Sequence, residues 1–414
     1  MLDWSDDHQM MRAAVREFVE REVVPLRDEL EHGSMPPYEV LRKYVRTFGI
    51  DDLARERYAR ELAGGPPFTT EERFERAVLT LLPMVELCRH CPGLVTAMGV
   101  SMNLAGNAIK KGTPEQRERW ALPLLTMEKV GAWAITEPDS GSDAFGGMRS
   151  SAVRDGDEFV LNGSKTFITN GPYADTTVFI CKLDDGVTAP RERRVLSFVL
   201  ERGTPGFEQS PPLRKMGLHS SPTGQLFVTD VRVGIDRLIG GAAALGEGER
   251  AAKTAKSAAD QQNARDAARA TFASERASVA AMALGIIEQC LSVAVDYARN
   301  RVQFGKPIGE FQLIQAKLAG MEVARVNVQN MLFRYLETMR AGRSLSFAEA
   351  SAIKLYSARA ATEVALDAVQ VLGGNGYMAE YHVEQLARDA KVLQIYAGTD
   401  ELQTTAIAKD LLRG

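Results

Sequence analysis

Over the first 130 positions, apolar residues return every three or four places. In WSDDHQMMRAAVREFVEREVVPL, Met10, Val15, Phe18 and Val19 keep roughly helical spacing. Ser5 stands where a helix N-cap stands, and Asp6 and Asp7 fall in the first turn, where the helix dipole favours anions. Pro25 ends or bends that helix. MPPYE (35–39) and GGPPFTT (64–70) break the pattern. In KKGTPEQRERW (110–120), Gly112 closes one helix, Thr113 caps the next and Pro114 takes its first position.

Near residue 140 the period changes from helix to strand. SAVRDGDEFVLNGSKTFITNG carries Asp155-Gly156 and Asn162-Gly163, both favoured hairpin turns, between short β-prone runs. TTVFICKL, VLSFVLE and GQLFVTDVRV continue as strands of a mostly antiparallel sheet. The segment around 236–271 is Ala-rich, charged and punctuated by Gly, and reads equally as a weakly amphipathic helix or a mobile linker. From Phe272 the pattern is helical to the end. The predicted organisation is a helical domain over 1–130, a β domain over 131–238, a polar insert over 239–271 and a helical region over 272–414.

Within FASERASVAAMALGIIEQCLSVAVDYARNR, the positions Val279, Met282, Ile286, Cys290, Val293 and Tyr297 define one apolar helix face. Glu275 lies four residues before Val279, on that face. A carboxylate on a core-facing stripe is unusual. Burial would raise its pKa towards the range of a base at neutral pH. The alternative is a solvated Glu near a helix N-terminus, held by the dipole.

Composition narrows the function classes. A length of 414 residues implies two or three domains, and 45% hydrophobic with 25% charged residues is ordinary globular usage. A net charge of −4 gives no general attraction to nucleic acid or to an anionic membrane. Four cysteines form no disulfide framework, and Cys88 and Cys91 without a second pair read as buried helix cysteines rather than a metal site. The N-terminus is acidic where a signal peptide would be basic, and no unbroken apolar run approaches membrane-spanning length. A soluble, cytoplasmic protein is expected. The phosphate-loop, HExxH and GxSxG motifs are missing, and His219 reads as a packing residue.

One junction segment is different. AITEPDSGSDA (134–144) is dense in backbone donors and short hydroxyls, including Thr136, Ser140 and Ser142. It suits a flat heterocycle edged with carbonyls and ring N–H groups. Together with KTFITNG (165–171), YARNRVQFGKPIGEFQ (297–312), QVLGGNGY (370–377), RDAKVLQIYAGT (388–399) and the α-β-α order, it resembles the acyl-CoA dehydrogenase family of flavoproteins.

The resemblance implies an α+β multidomain fold: an N-terminal helical domain, a middle β-barrel and a C-terminal four-helix bundle. It also implies bound FAD. Trp133, Ile135, Thr136 and Ser142 would line the flavin, Phe167 would cover its ring with Ile168 beside it, and Thr169 would reach the N5 side. Arg301, Gln303 and Phe304, helped by Phe311 and Gln312, would meet the diphosphate and adenine end from a neighbouring subunit. Gln370, Val371, Leu372, Gly373 and Gly374 would carry the adenosine diphosphate part, and Thr399, Glu401 and Leu402 would touch FAD again. Ser142, Arg276 and Tyr396 would contact the acyl-CoA substrate. A homotetramer and an electron-transferring flavoprotein as acceptor follow from the same resemblance.

QIYAGTDELQ (394–403) departs from the family's commoner loop, which carries the catalytic Glu where this chain has Ala397. Isovaleryl- and long-chain-type members instead place the base on the helix immediately before an Arg. Glu275-Arg276 matches that spacing to Arg301. The resemblance thus implies Glu275 as base, with the Ala397 N–H donating to the thioester oxygen. An oxygen-using oxidase or monooxygenase, or a silent ligand-binding homologue, are the rival expectations.

Overall fold

The computed structural model describes residues 4–66, 68–245 and 258–413. The chain folds as helices, then a sheet, then helices. The N-terminal part contains α1 (Asp6–Phe18), α2 (Arg27–His32), α3 (Tyr38–Thr47), α4 (Ile50–Leu62), α5 (Thr70–Cys88) and α6 (Pro92–Gly99), followed by short helical turns to Leu125. The cap signals act as the sequence implies. Ser5 accepts from the His8 N–H at 3.3 Å, and Thr113 accepts from the Gln116 N–H at 3.3 Å with Pro114 at the first helical position. Val15, Phe18 and Val19 are buried, but Met10 is exposed, because the face of α1 turned to the core runs through His8, Met11, Val15 and Phe18 and Met10 lies off it. At Pro25 the helix does not stop. It widens over Val19–Val23, tightens over Val24–Leu26 and resumes as α2.

The sheet has seven strands: β1 (Gly131–Ala134), β2 (Ser151–Asp155), β3 (Glu158–Thr169), β4 (Thr176–Asp184), β5 (Val195–Glu201), β6 (Phe207–Gln209) and β7 (Thr223–Gly234). Pairing is antiparallel except for β1 and β2, which run parallel to β4. The expected turn at Asp155-Gly156 joins β2 to β3. The expected turn at Asn162-Gly163 does not form. These residues lie inside β3, opposite a bulge in which Thr229 and Asp230 of β7 face Asn162 alone. Asn162 exchanges bonds with Asp230 there, donating from Nδ2 at 3.0 Å and accepting the backbone N–H at 2.9 Å. Gly163 is needed because a Cβ would fall 2.2 Å from Ser150 Oγ.

A second bulge, on β3, sets Thr166 and Phe167 against Gln225. Phe167 takes φ +56° and is 69% exposed. Bulges re-aim side chains, and this one turns an aromatic ring outward from an otherwise packed strand.

The C-terminal part holds α7 (Ala258–Asn300), α8 (Gln312–Arg340), α9 (Phe347–Leu372), α10 (Val383–Val392) and α11 (Asp400–Leu411). Residues 246–257 of the polar insert lie outside the described residues, whereas its 258–271 part is the start of α7. A two-stranded hairpin, β8 (Val302–Gln303) with β9 (Lys306–Pro307), interrupts the expected all-helical run. The stripe of α7 is real: Val279, Met282, Ile286 and Cys290 are buried in one core with Val85, Cys88, Leu336 and Ala361. Glu275–Asn300 is long and apolar enough to cross a membrane, but most of that stretch is buried in the protein.

Candidate active site

The stripe of α7 carries Glu275 into a half-buried position. Burial raises its pKa above the ordinary carboxylate value, and the charges of Arg276 and Lys354 oppose that rise. Arg276 is buried, with its guanidinium 4.0 Å from the centre of the Phe347 ring. It stands beside Glu275 without presenting itself broadly to solvent.

The 394–400 loop comes to the same place. The Tyr396 hydroxyl donates to the Met282 sulfur at 3.3 Å. Its pKa is pushed far up, by burial first and by Cys88 and Glu275 after it, while Thr96 of α6 faces the same hydroxyl. Ala397 has φ +52° and Gly398 φ +88°. A Cβ at 398 would lie 2.7 Å from Gln403 Nε2, so the turn requires glycine. Thr399 caps α11 by accepting from the Leu402 N–H at 3.4 Å. The Asp400 N–H donates to the Gln394 carbonyl at 3.0 Å and closes the loop.

The third wall is the edge of the sheet. Trp133, Ile135 and Thr136 are half-buried at the end of β1, and Thr169 is half-buried at the end of β3. The Thr136 carbonyl accepts from the Thr166 N–H at 2.9 Å, next to the bulge that exposes Phe167. A buried ion pair, Lys165 Nζ to Glu137 Oε1 at 2.8 Å, ties this loop to β3. Burial alone would push the Glu137 carboxyl up. Bonds from Lys165, Ser150 and Arg149 outweigh it and hold the carboxyl below its usual range.

Asn170, for which the sequence offers no local signal, joins the walls. Its Nδ2 donates to Ala97 O and Gly131 O, both at 2.9 Å, its Oδ1 accepts from Tyr38 at 3.1 Å, and its N–H reaches Pro222 O at 2.7 Å. Ala97 lies one residue from Thr96, so α6 links the sheet edge to Tyr396.

Several expected cofactor residues offer only part of themselves. Ile168, Val371 and Leu372 bury their side chains in the cores and do not present them to a ligand. Gly373 and Gly374 are exposed with open space around them. Ser142, Gln312, Gln370, Glu401 and Leu402 are exposed. Arg301 and Gln303 are exposed too, and Phe304 is 94% exposed at φ +53°, with its ring edge-on to Phe311. Arg301 lies roughly 39 Å along α7 from Glu275 by helical rise. The two cannot both serve the reacting end of one cofactor within one chain.

The residues present fit a flavin. An outward-held aromatic ring lies beside threonines at the ends of β1 and β3, and α6 meets both Asn170, just beyond β3, and Tyr396 of the tight loop near the half-buried Glu275. Cys88 and Cys91 are buried and unbridged, and the described residues contain no metal-binding cluster. His219 bonds the carbonyls of Glu31 and Lys215 at 2.9 and 2.8 Å, a packing role.

Three family models match consecutive stretches of the chain: acyl-CoA dehydrogenase N-terminal domain over 5–128, middle domain over 132–231 and C-terminal domain over 263–412. The chain is 34% identical to an acyl-CoA dehydrogenase of Bacillus subtilis, over 99% of each. It is 32% identical to a short-chain-specific acyl-CoA dehydrogenase of Megasphaera elsdenii, again over 99% of each. The solved structure of butyryl-CoA dehydrogenase from Megasphaera elsdenii superposes with a TM-score of 0.81 at 31% identity, covering 100% of both chains.

Proposed function

The chain belongs to the acyl-CoA dehydrogenase family, and from that premise we propose that Glu275 of α7 is its base, while Ala397 serves only through its backbone N–H. The enzyme is an FAD-dependent oxidoreductase that dehydrogenates an acyl-CoA thioester between its α and β carbons. When bound, FAD supplies the acceptor for the β-hydrogen at N5.

The observation that carries the reading is the meeting of Glu275 with the Tyr396–Ala397 loop on one face of α7. Removing an α-proton needs a group that is ionised yet basic. A carboxylate raised by burial, and kept from rising further by Arg276 and Lys354, meets both demands. Ala397 has no side chain to take the proton and leaves room for one that does. Its N–H is a fixed donor for the thioester oxygen, where negative charge develops as the proton leaves. Tyr396 turns its hydroxyl to the sulfur of Met282, on the helix that carries Glu275.

Trp133, Ile135, Thr136, Phe167 and Thr169 would hold the flavin ring, and the bare backbone at Gly373 and Gly374 would carry the diphosphate end. The exposed hairpin with Arg301, Gln303 and Phe304 would reach a neighbouring copy, in keeping with a homotetramer. The sheet and the C-terminal helices correspond, in this reading, to the family's barrel and four-helix bundle. Reduced flavin would pass its electrons to an electron-transferring flavoprotein.

Anaerobic titration of the yellow protein with short, branched, long and aromatic acyl-CoAs tests this. At least one should bleach the flavin. No bleaching by any of them would reject the function.

A further inference from the structure

We propose that Lys354 and Gln403 are positioning residues, which hold the 396–399 loop so that the Ala397 N–H faces the substrate thioester. The inference rests on the reading above, in which that N–H is the loop's contribution. Lysine is almost never fully buried unless paired, yet Lys354 is wholly enclosed on α9. Its ammonium bonds the Gly398 carbonyl at 2.8 Å. Among the described residues, the one carboxylate within ion-pair range is Asp400, whose Oδ1 stands 3.8 Å away while its Oδ2 accepts from Arg359 at 2.9 Å. A buried charge is thus aimed at a loop carbonyl more closely than at a counter-charge.

Gln403, buried on α11, completes the grip. Its Nε2 donates to Ala397 O at 3.1 Å and to Gly398 O at 3.0 Å. Two successive carbonyls are therefore drawn to the protein side by side chains from two helices. At φ +52° Ala397 is in the left-handed region, where a residue's N–H and C=O point in opposite directions. Drawing the carbonyl inward turns the N–H outward. Among the described residues nothing accepts from that N–H. Conformations this sparse in residues with a Cβ persist where the surroundings over-determine them, and Lys354 and Gln403 do so here.

The charged groups facing Lys354 are Asp400 and Glu401 on α11 and Arg276 and Glu275 on α7. Lys354 in turn favours the ionised form of Glu275. One side chain thus acts on both the loop donor and the base.

The test uses FAD-loaded full-length protein and the trans-2-enoyl-CoA product of its fastest acyl-CoA, labelled with 13C at the thioester carbonyl. In the unmodified enzyme the bound carbonyl stretch should shift to lower frequency. In Lys354→Met that shift should shrink, kcat should fall about tenfold or more, affinity for the thioester should change less than about threefold, and the acid limb of kcat/KM should move to higher pH. Gln403→Leu should shrink the carbonyl shift without moving that limb, and it carries the test alone if Lys354→Met does not fold. A full carbonyl shift with kcat within twofold in either folded variant overturns the proposal. Glu275→Gln separates the two readings: it should keep the carbonyl shift, because the donor is on the loop, and retained bleaching there would reject the base without touching the loop donor.

Discussion

The Tyr396 hydroxyl meets the Met282 sulfur at 3.3 Å, and Met282 lies seven residues, two helical turns, from Glu275 along the same face of α7. This contact fixes the loop against the helix that carries the carboxylate. In the proposed reading, the base on α7 and the donor on the loop are thereby held to one another, and a longer side chain at 397 would bring a carboxylate to the site from the loop instead.

If Glu275 is the base, its function can be moved to the loop. In Glu275→Gln with Ala397→Glu, a carboxylate returns to the site from the loop, at a backbone angle Ala397 already adopts. The double variant should recover at least tenfold of the flavin reduction rate lost in Glu275→Gln. In Ala397→Glu alone, two carboxylates share one site, so one pKa rises further. The acid limb of its kcat/KM profile should move to higher pH than in the unmodified enzyme.

Away from the site, Glu31 and Asp389 form a buried acid pair. Burial first, and then the Asp389 charge, push Glu31 up to about 8, against the pull of Arg388, Ser220 and Arg27. A carboxyl with a raised folded pKa binds its proton more tightly folded than unfolded. Its contribution to stability is therefore largest at low pH and declines as pH rises from the ordinary carboxylate range through about 8. Glu31→Gln, neutral throughout, should flatten this decline and gain about 1–3 kcal/mol over the unmodified protein at alkaline pH, with little change in mild acid. Urea unfolding at mildly acidic and alkaline pH reads the difference.

Asn170 bonds α3, α6, β1 and the segment before β7 from one buried side chain and its N–H. Asn170→Ala should cost about 2–4 kcal/mol, since it leaves the Ala97 and Gly131 carbonyls without this donor. It should also loosen the wall proposed to hold the flavin. Denaturant melts and the fraction of FAD retained on gel filtration measure the two effects.

Phe304 exposes 94% of its surface at the tip of a hairpin. If that tip docks on a second copy, Phe304→Glu should yield smaller particles by light scattering and reduced FAD content. Unchanged mass and full FAD would contradict the docking.

What the sequence made legible was local. Ser5 and Thr113 cap helices because a cap needs only its own first turn, and the α7 stripe followed from spacing alone. Long-range features were hidden. Asn162-Gly163 has the composition of a turn, but its register is set by Asp230, 68 residues away. Phe167 alternates like a strand residue until the bulge turns it out. Lys354 sits in an Ala-rich helix with nothing nearby to announce a loop carbonyl 44 residues further on. The helical start of α7 at Ala258 was half-legible: AADQQNARDAARAT is rich in good helix formers but has no apolar stripe to commit it.

The most direct test of the account is anaerobic mixing of FAD-loaded Glu275→Gln with the best acyl-CoA substrate. Glutamine keeps the shape of the side chain and removes its capacity as a base. The account predicts normal FAD content, retained substrate binding and flavin bleaching slowed at least about a thousandfold. Bleaching at the unmodified rate would contradict it.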